Sequence, residues 1–198
     1  MKLGLKSPKP DATYTLEFKK IVTGGEGSGE PQSFDFTVTL KNKEGTALQN
    51  SYPWYKYNKT TKSWDKQDEE LKPDSTTGEI TFSLQNEDHI RIGEVDEKGV
   101  VQTGLPKGTQ YTIKETTYTG YAPSFEVKEG DWVKDDTKKD EVSGQIIQNN
   151  FVVFTNTALY ALPATGGETP ALYYLLGCAL LLTAVTGAWM YRRRSRTM

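Results

Sequence analysis

The 198-residue sequence is poor in the side chains that most often mark chemistry: it holds one cysteine and one histidine. With Cys178 alone, no internal disulfide can staple the chain, so any covalent stabilisation must use other chemistry. With His89 alone, a histidine-rich metal site is excluded, and a histidine-based catalytic triad has no evident partners. Neither sign of charge dominates, 24 basic against 26 acidic residues, which argues against a nucleic-acid binder. Neither a helix nor a suitably placed lysine follows the Gly24–Gly29 run GGEGSG, so it reads as a hairpin loop and not as a phosphate cradle. The stretch DDTKKDE at 135–141 mixes signs and lacks calcium-loop spacing, so it reads as a solvated loop. No cofactor is called for. The opening MKLGLKSPKPDATYT lacks the apolar core of a secretion signal. Residues 1–10 are therefore read as a leader or linker, in a chain that lacks its true N-terminus and any preceding domains.

What is present is concentrated at the other end. Residues 171–190, ALYYLLGCALLLTAVTGAWM, carry no charge, although the chain as a whole is hydrophilic. Twenty residues at about 1.5 Å of helical rise span roughly 30 Å, the thickness of a bilayer core. A buried helix of a globular domain would need only about half that length. The tail 191–198 opens YRRRSR, and cationic flanks stay on the cytoplasmic side. The span is thus expected to cross the membrane with the whole polar body outside the cell.

Just before the span stands Leu162-Pro163-Ala164-Thr165-Gly166, within a linker at 158–170. A five-residue string of this kind can arise by chance, but motif, apolar span and arginine-rich tail in that order resemble the cell-wall sorting signal of Gram-positive surface proteins. The resemblance implies that a sortase cuts between Thr165 and Gly166. The Thr165 carbonyl would then pass to an amine of a peptidoglycan precursor or of another pilin subunit. These residues would be a substrate, with the membrane engaged only transiently through 171–190. The local chemistry suits that role: Pro163 fixes φ and favours an extended peptide, while Gly166 and Gly167 leave the scissile bond mobile.

Residues 11–157 read as all-β. Apolar side chains alternate in YTLEFKKIV (Tyr14, Leu16, Phe18, Val22), in FDFTVTL (Phe34, Phe36, Val38, Leu40) and in EITFSL (Ile80, Phe82, Leu84). YTIKET and FVVFTNT continue the pattern with Tyr111, Ile113, Val152 and Phe154. Turn-rich stretches such as KNKEG, DEKG and GLPKG separate them, no 3.6-residue apolar period stands out, and no internal repeat is seen. Short strands punctuated in this way over such a length suit one antiparallel sandwich.

Three inward rows contain a polar residue where the alternation asks for an apolar one: Lys20, Glu115 and Asn156. In a generic strand such residues sit at strand ends and reach water, or mark a slip in register, since buried lysine and glutamate are rare unless paired. Together they also make chemical sense. A lysine and a carboxamide buried side by side can condense to an isopeptide with loss of ammonia. Desolvation favours the neutral, nucleophilic amine and the protonated carboxylic acid, which can polarise the Asn156 carbonyl and move protons.

The stretches LEFKKIVTGGEGSGEPQSFDFTVTL, GLPKGTQYTIKETTYTGY and VVFTNT resemble the isopeptide-forming pilin domains of Gram-positive bacteria. These are the streptococcal T-antigen backbone pilins and the collagen-adhesin B-type modules. The likeness covers most of 13–157 but leaves a middle around NSYPWYKYNKTTKSWDKQDEELKP unmatched. It implies an Ig-like antiparallel sandwich whose first and last strands are neighbours. Lys20 would be the amine, Asn156 the acceptor and Glu115 the catalytic acid/base. Lys19 is the rival amine, and loses because Leu16, Phe18 and Val22 share a face with Lys20. Such a bond would carry tension past the sandwich through a covalent shortcut.

Two functions follow from the resemblance. One is structural: a sortase-anchored pilin subunit or stalk, not an enzyme beyond its self-modification. The tyrosine-proline-lysine style motif of backbone pilins is absent, with only a faint echo in Ser7-Pro8-Lys9, which favours an anchoring minor pilin or a monomeric surface protein. The other is an adhesin that binds a host glycan or protein through the aromatic insert at 52–64. That insert holds Tyr52, Trp54, Tyr55, Tyr57 and Trp64, which can equally pack over the sandwich edge. Asn58-Lys59-Thr60 fits a glycosylation pattern but carries no weight in a bacterial setting.

Overall fold

The computed structural model describes residues 12–24, 33–133 and 138–159. All belong to the first of two units into which the chain divides, Met1–Leu159. The sorting motif Leu162–Gly166, the span 171–190, the tail 191–198 and Ser7-Pro8-Lys9 lie outside the described residues, as do most of the glycine-rich loop and residues 134–137 of the acidic stretch.

No helix occurs among the described residues. The strands in chain order are β1 Thr13–Tyr14, β2 Leu16–Thr23, β3 Phe34–Lys41, β4 Trp54–Asn58, β5 Ser63–Lys66, β6 Glu79–Leu84, β7 His89–Ile92 and β8 Glu94–Val95. There follow β9 Val101–Thr103, β10 Leu105–Pro106, β11 Gln110–Glu115, β12 Tyr121–Glu129, β13 Asp131–Val133, β14 Glu141–Gln145 and β15 Asn150–Ala158. Five strands form one sheet in the order β13-β14-β11-β3-β6, and six form the other in the order β12-β15-β2-β7-β4-β5. Two short ribbons pair β1 with β10 and β8 with β9.

Period-two alternation explains the layers. In β6 the side chains of Glu79, Thr81 and Ser83 are exposed while Ile80, Phe82 and Leu84 are buried. β3 buries Phe34, Phe36, Val38 and Leu40 in the same way. The inner faces meet through aromatic rings: Phe18 of the six-stranded sheet lies 5.3 Å from Phe82 and 6.0 Å from Phe36, and Phe154 lies 5.2 Å from Phe36. Most of these pairs are edge-on, the arrangement that suits ring quadrupoles. At Gly78 the backbone has φ +77°, and a Cβ would come within 2.4 Å of the Leu40 carbonyl oxygen, so the turn into β6 requires glycine.

Two features differ from the sequence expectation. The sandwich is antiparallel except at one place: β15 runs parallel to β2, with Phe154 opposite Lys20 and Asn156 opposite Val22. The first long strand, β2, and the last, β15, are neighbours as expected, and they point the same way because the chain returns to the sheet after crossing between layers. The stretch around 52–64 is also not a free insert. It forms the β4–β5 hairpin at the edge of the six-stranded sheet, paired to β7 from Trp54 to Lys56.

Candidate functional site

Three strands bring Lys20, Glu115 and Asn156 together. Lys20 sits mid-way along β2 and points inward with Leu16 and Phe18. Asn156 lies two residues beyond Lys20's partner Phe154, so it shares the inner face of β15 one step further along. Glu115 closes β11 of the opposite sheet, and its backbone N–H donates to the Asp140 carbonyl at 2.7 Å, which fixes the end of that strand. The three residues are 0%, 1% and 2% exposed, so the strand-end alternative, in which they reach water, does not hold.

The contacts converge on one atom. Lys20 Nζ donates to Glu115 Oε1 at 2.7 Å, and Asn156 Nδ2 donates to the same oxygen at 2.5 Å. The Phe34 ring centroid lies 4.4 Å from Lys20 Nζ, and that of Phe36 lies 5.8 Å away. Glu115 Oε2 and Asn156 Oδ1 are buried without a hydrogen-bond partner. These two orphans are complementary once Glu115 carries a proton, because its hydroxyl donates and the Asn156 carbonyl accepts. Lys19 is on the outer face, in register with Val153 and His89, and does not reach the cluster.

Burial shifts both ionisable groups toward their uncharged forms. Burial pushes the Lys20 amine below the ordinary lysine value, against the upward pull of the Glu115 carboxylate. Burial pushes Glu115 up, opposed by Lys20 and by the Asn156 amide. Ammonium and carboxylate in a phenylalanine-walled pocket pay a desolvation cost that their attraction offsets only with full hydrogen bonding, and here one carboxylate oxygen has none. The arrangement can therefore hold a neutral amine, a proton-bearing acid and a carboxamide in contact.

The aromatic residues of the β4–β5 hairpin divide between the two faces. Trp54 packs edge-on against Phe82 at 5.6 Å, and its Nε1–H donates to the Glu69 carbonyl, so it is a half-buried residue packed against the core. Tyr52 is buried. Tyr57 pairs with Trp64 across the hairpin on the outer face, and Tyr55, also half-buried, is held by Glu94. There Trp64 also meets His89 and the Arg91 guanidinium, which stacks 3.8 Å above its ring, and both His89 and Arg91 reach Glu17. Asn58 accepts from the Thr60 and Thr61 N–H groups and donates to Asp65, a turn-holding role. Among the described residues no group of three His, Cys, Asp or Glu side chains is placed to hold a metal ion. Sequence reasoning gave no part to Tyr118 and Tyr121, which pack on Phe34 beside the triad; the signal available was the TTYTGY string directly after Glu115.

Residues 14–158 match a single family along their length. The chain belongs to DUF7601, a domain of unknown function. The DUF7601 domain is 27% identical over 139 residues to the pilus tip adhesin Cpa of Streptococcus pyogenes, a match covering 69% of this chain and 17% of that protein. The chain thus spans less than a fifth of that relative's length. A solved structure of the pilus-presented adhesin Cpa superposes with a TM-score of 0.53 at 22% identity, covering 78% of this chain and 29% of the other. A mutant of the major pilin from Streptococcus pyogenes gives 0.50 at 21%, covering 76% and 49%. The DUF7601 sandwich therefore has the pilin-type fold.

Proposed function

We propose that this chain is a pilin-like subunit of the cell surface whose sandwich is stapled by an isopeptide bond between Lys20 and Asn156, with Glu115 as the proton shuttle. The observation that carries the reading is the buried contact of amine, carboxyl and carboxamide on one oxygen, where the neighbouring strands β2 and β15 face β11 in a pilin-type fold. In the step, Lys20 Nζ attacks the Asn156 side-chain carbonyl carbon. The new N–C bond forms, the bond from that carbon to Nδ2 breaks, and ammonia leaves. Glu115 donates to the Asn156 oxygen as charge develops there, and passes the proton lost by Nζ to the departing nitrogen. Burial supplies both reactive protonation states, so no partner enzyme or cofactor is needed.

The anchoring half of the proposal rests on sequence. A sortase joins Thr165 to a peptidoglycan precursor or to another subunit, and residues after Thr165 are lost. The pilus proteins it resembles support a surface location. The hairpin aromatics favour the adhesin alternative less, because Trp54 is engaged with the core.

Intact-mass measurement of the full chain tests the staple: the mass should be one ammonia below that of the sequence, and digestion should yield a branched peptide joining Lys20 to Asn156. Glu115→Ala should restore the full mass, and Lys19→Ala should leave the branched peptide in place. An unmodified mass for folded wild-type protein rejects the bond. Replacing Leu162–Gly166 in a sortase-competent Gram-positive cell should release the protein from the wall fraction. Recovery of the unaltered chain whole in detergent, tail included, rejects the anchoring.

A further inference from the structure

Directly after Glu115, the chain turns back over the end of β3. Thr116 N–H donates to the Asp35 carbonyl at 2.8 Å, and the Asp35 N–H donates to the Tyr118 hydroxyl at 2.9 Å. Tyr121 N–H donates to the Tyr118 carbonyl at 3.3 Å. Both tyrosine rings stand edge-on to Phe34, with centroids 5.1 and 5.3 Å away at 77° and 89°. Phe34 is fully buried beneath them and lies against Lys20 Nζ, whereas Tyr118 and Tyr121 are only half-buried. Among the described residues, the Tyr118 and Tyr121 rings stand on Phe34, and Phe34 in turn stands against the Lys20 amine.

We propose that Tyr118 and Tyr121 act as an aromatic lid that positions Phe34 over the triad and decides which nucleophile reaches the Asn156 carboxamide, lysine or water. The inference rests on the isopeptide reading and adds a competing reaction to it. With the lid closed, Nζ forms the bond to the Asn156 carbonyl carbon and ammonia leaves. With the lid open, a water oxygen forms that bond instead, the same bond to Nδ2 breaks, ammonia leaves again, and residue 156 ends as aspartate with Lys20 unlinked. Both reactions consume one carboxamide and release one ammonia, so loss of ammonia alone cannot tell them apart, whereas the fate of residue 156 does. Opening the lid also hydrates the amine. Each pKa unit by which Lys20 returns toward its ordinary value lowers the neutral fraction about tenfold. The lid residues touch neither reacting atom, so they are positioning residues.

The test uses the full chain, synthesised in a cell-free system with detergent in water enriched in oxygen-18, then digested in ordinary water at intervals. In the wild type, the peptide carrying residue 156 should pass into the branched form with no heavy oxygen at that residue. In Tyr118→Ala, branching should slow about tenfold or more, and a linear peptide with heavy-oxygen aspartate at 156 should accumulate. Tyr118→Phe keeps the ring over Phe34 and should restore the wild-type partition, which a loss of general stability would not predict. Tyr121→Leu should shift the partition in the same direction as Tyr118→Ala, and it decides the matter if far-UV circular dichroism shows that Tyr118→Ala has not folded. Wild-type branching with no heavy oxygen in the folded variants overturns the lid and leaves the isopeptide intact. No branched peptide in the wild type overturns both.

Discussion

Glu115→Gln keeps the shape of the carboxyl group but cannot carry the proton that the proposed condensation needs, so the chain should stay unlinked. The expected cost has two parts. A bond from Lys20 to Asn156 closes a loop of roughly 137 residues, and the entropy it removes from the unfolded chain is worth about 5 kcal/mol. The substitution also leaves Lys20, 0% exposed, without its carboxylate. Breaking a buried pair on one side typically costs about 3–5 kcal/mol, unless the amine sheds its proton. Asn156→Ala separates the two parts, since it abolishes the bond but leaves Lys20 and Glu115 paired. Asn156→Ala should therefore lose about 5 kcal/mol, and Glu115→Gln a few kcal/mol more. At roughly 2–4 °C per kcal/mol for a domain of this size, the melting temperature should drop by about 10–20 °C in Asn156→Ala and further in Glu115→Gln. Losses of this size approach the entire stability of an ordinary domain. The assay is thermal unfolding of the full chain followed by far-UV circular dichroism, with intact mass recorded on each sample. A melting temperature for Asn156→Ala within a degree or two of the wild type would refute the covalent contribution. A Glu115→Gln protein more stable than Asn156→Ala would refute the reasoning about the buried amine left without its partner.

Bond formation in the wild type should have a bell-shaped pH profile, falling on the acid side as Lys20 gains a proton and on the alkaline side as Glu115 loses one; a rate that climbs steadily toward the ordinary lysine value would contradict the raised Glu115. In the unlinked variant Asn156→Ala, stability should fall as pH rises through the window above the ordinary glutamate value, where only the folded state holds the Glu115 proton. It should rise with pH in the window below the ordinary lysine value, where only the unfolded state holds the Lys20 proton; denaturant midpoints across pH would check both signs. Gly78→Ala should cost about 1–3 kcal/mol by chemical denaturation, because φ is +77° and the new methyl meets the Leu40 carbonyl at 2.4 Å. Phe82→Ala should cost about 3–5 kcal/mol and shift the tryptophan emission, since the ring touches both Phe18 and Trp54.

Much of the core could be read from the chain because single strands alternate cleanly. Leu16, Phe18 and Lys20 in β2, the four apolar residues of β3 and the three of β6 all face inward as their parity implies. The same parity carried Glu115 and Asn156 into the interior and kept Lys19 out. Other parts escaped because their signal is mixed. WYKYN has aromatic residues on both faces, since the hairpin buries Trp54 on one side and builds the Trp64, His89 and Arg91 cluster on the other, so no alternation marks a strand there. In β12, Tyr121, Pro123, Phe125 and Val127 are the more buried set, but a proline in the run hides an edge strand, where its missing N–H costs nothing. The pairing of β15 with β2 spans most of the domain in sequence, and its direction depends on how many times the chain crosses between layers. No local pattern records that. Nor did residue type point to Tyr118 and Tyr121, whose role depends on where the chain turns after Glu115.

The direction of that last pairing sets how the domain yields when it is stretched. Because β2 and β15 run the same way, the chain enters the pair beside Leu16 and leaves it beyond Thr157, at opposite ends of the ribbon. Stretching the two strands apart along their length slides one against the other, and the eight register pairs from Leu16–Asn150 to Thr23–Thr157 share the load at once. Had the strands been antiparallel, entry and exit would lie at the same end, and the rungs would open one after another like a zip, each bearing the full load in turn. Rupture in the sliding geometry requires many hydrogen bonds to fail together, so the non-covalent fold already has high mechanical resistance along this axis. The geometry is also directional: the same domain grasped across the sheet, at β12 for example, would peel at far lower force.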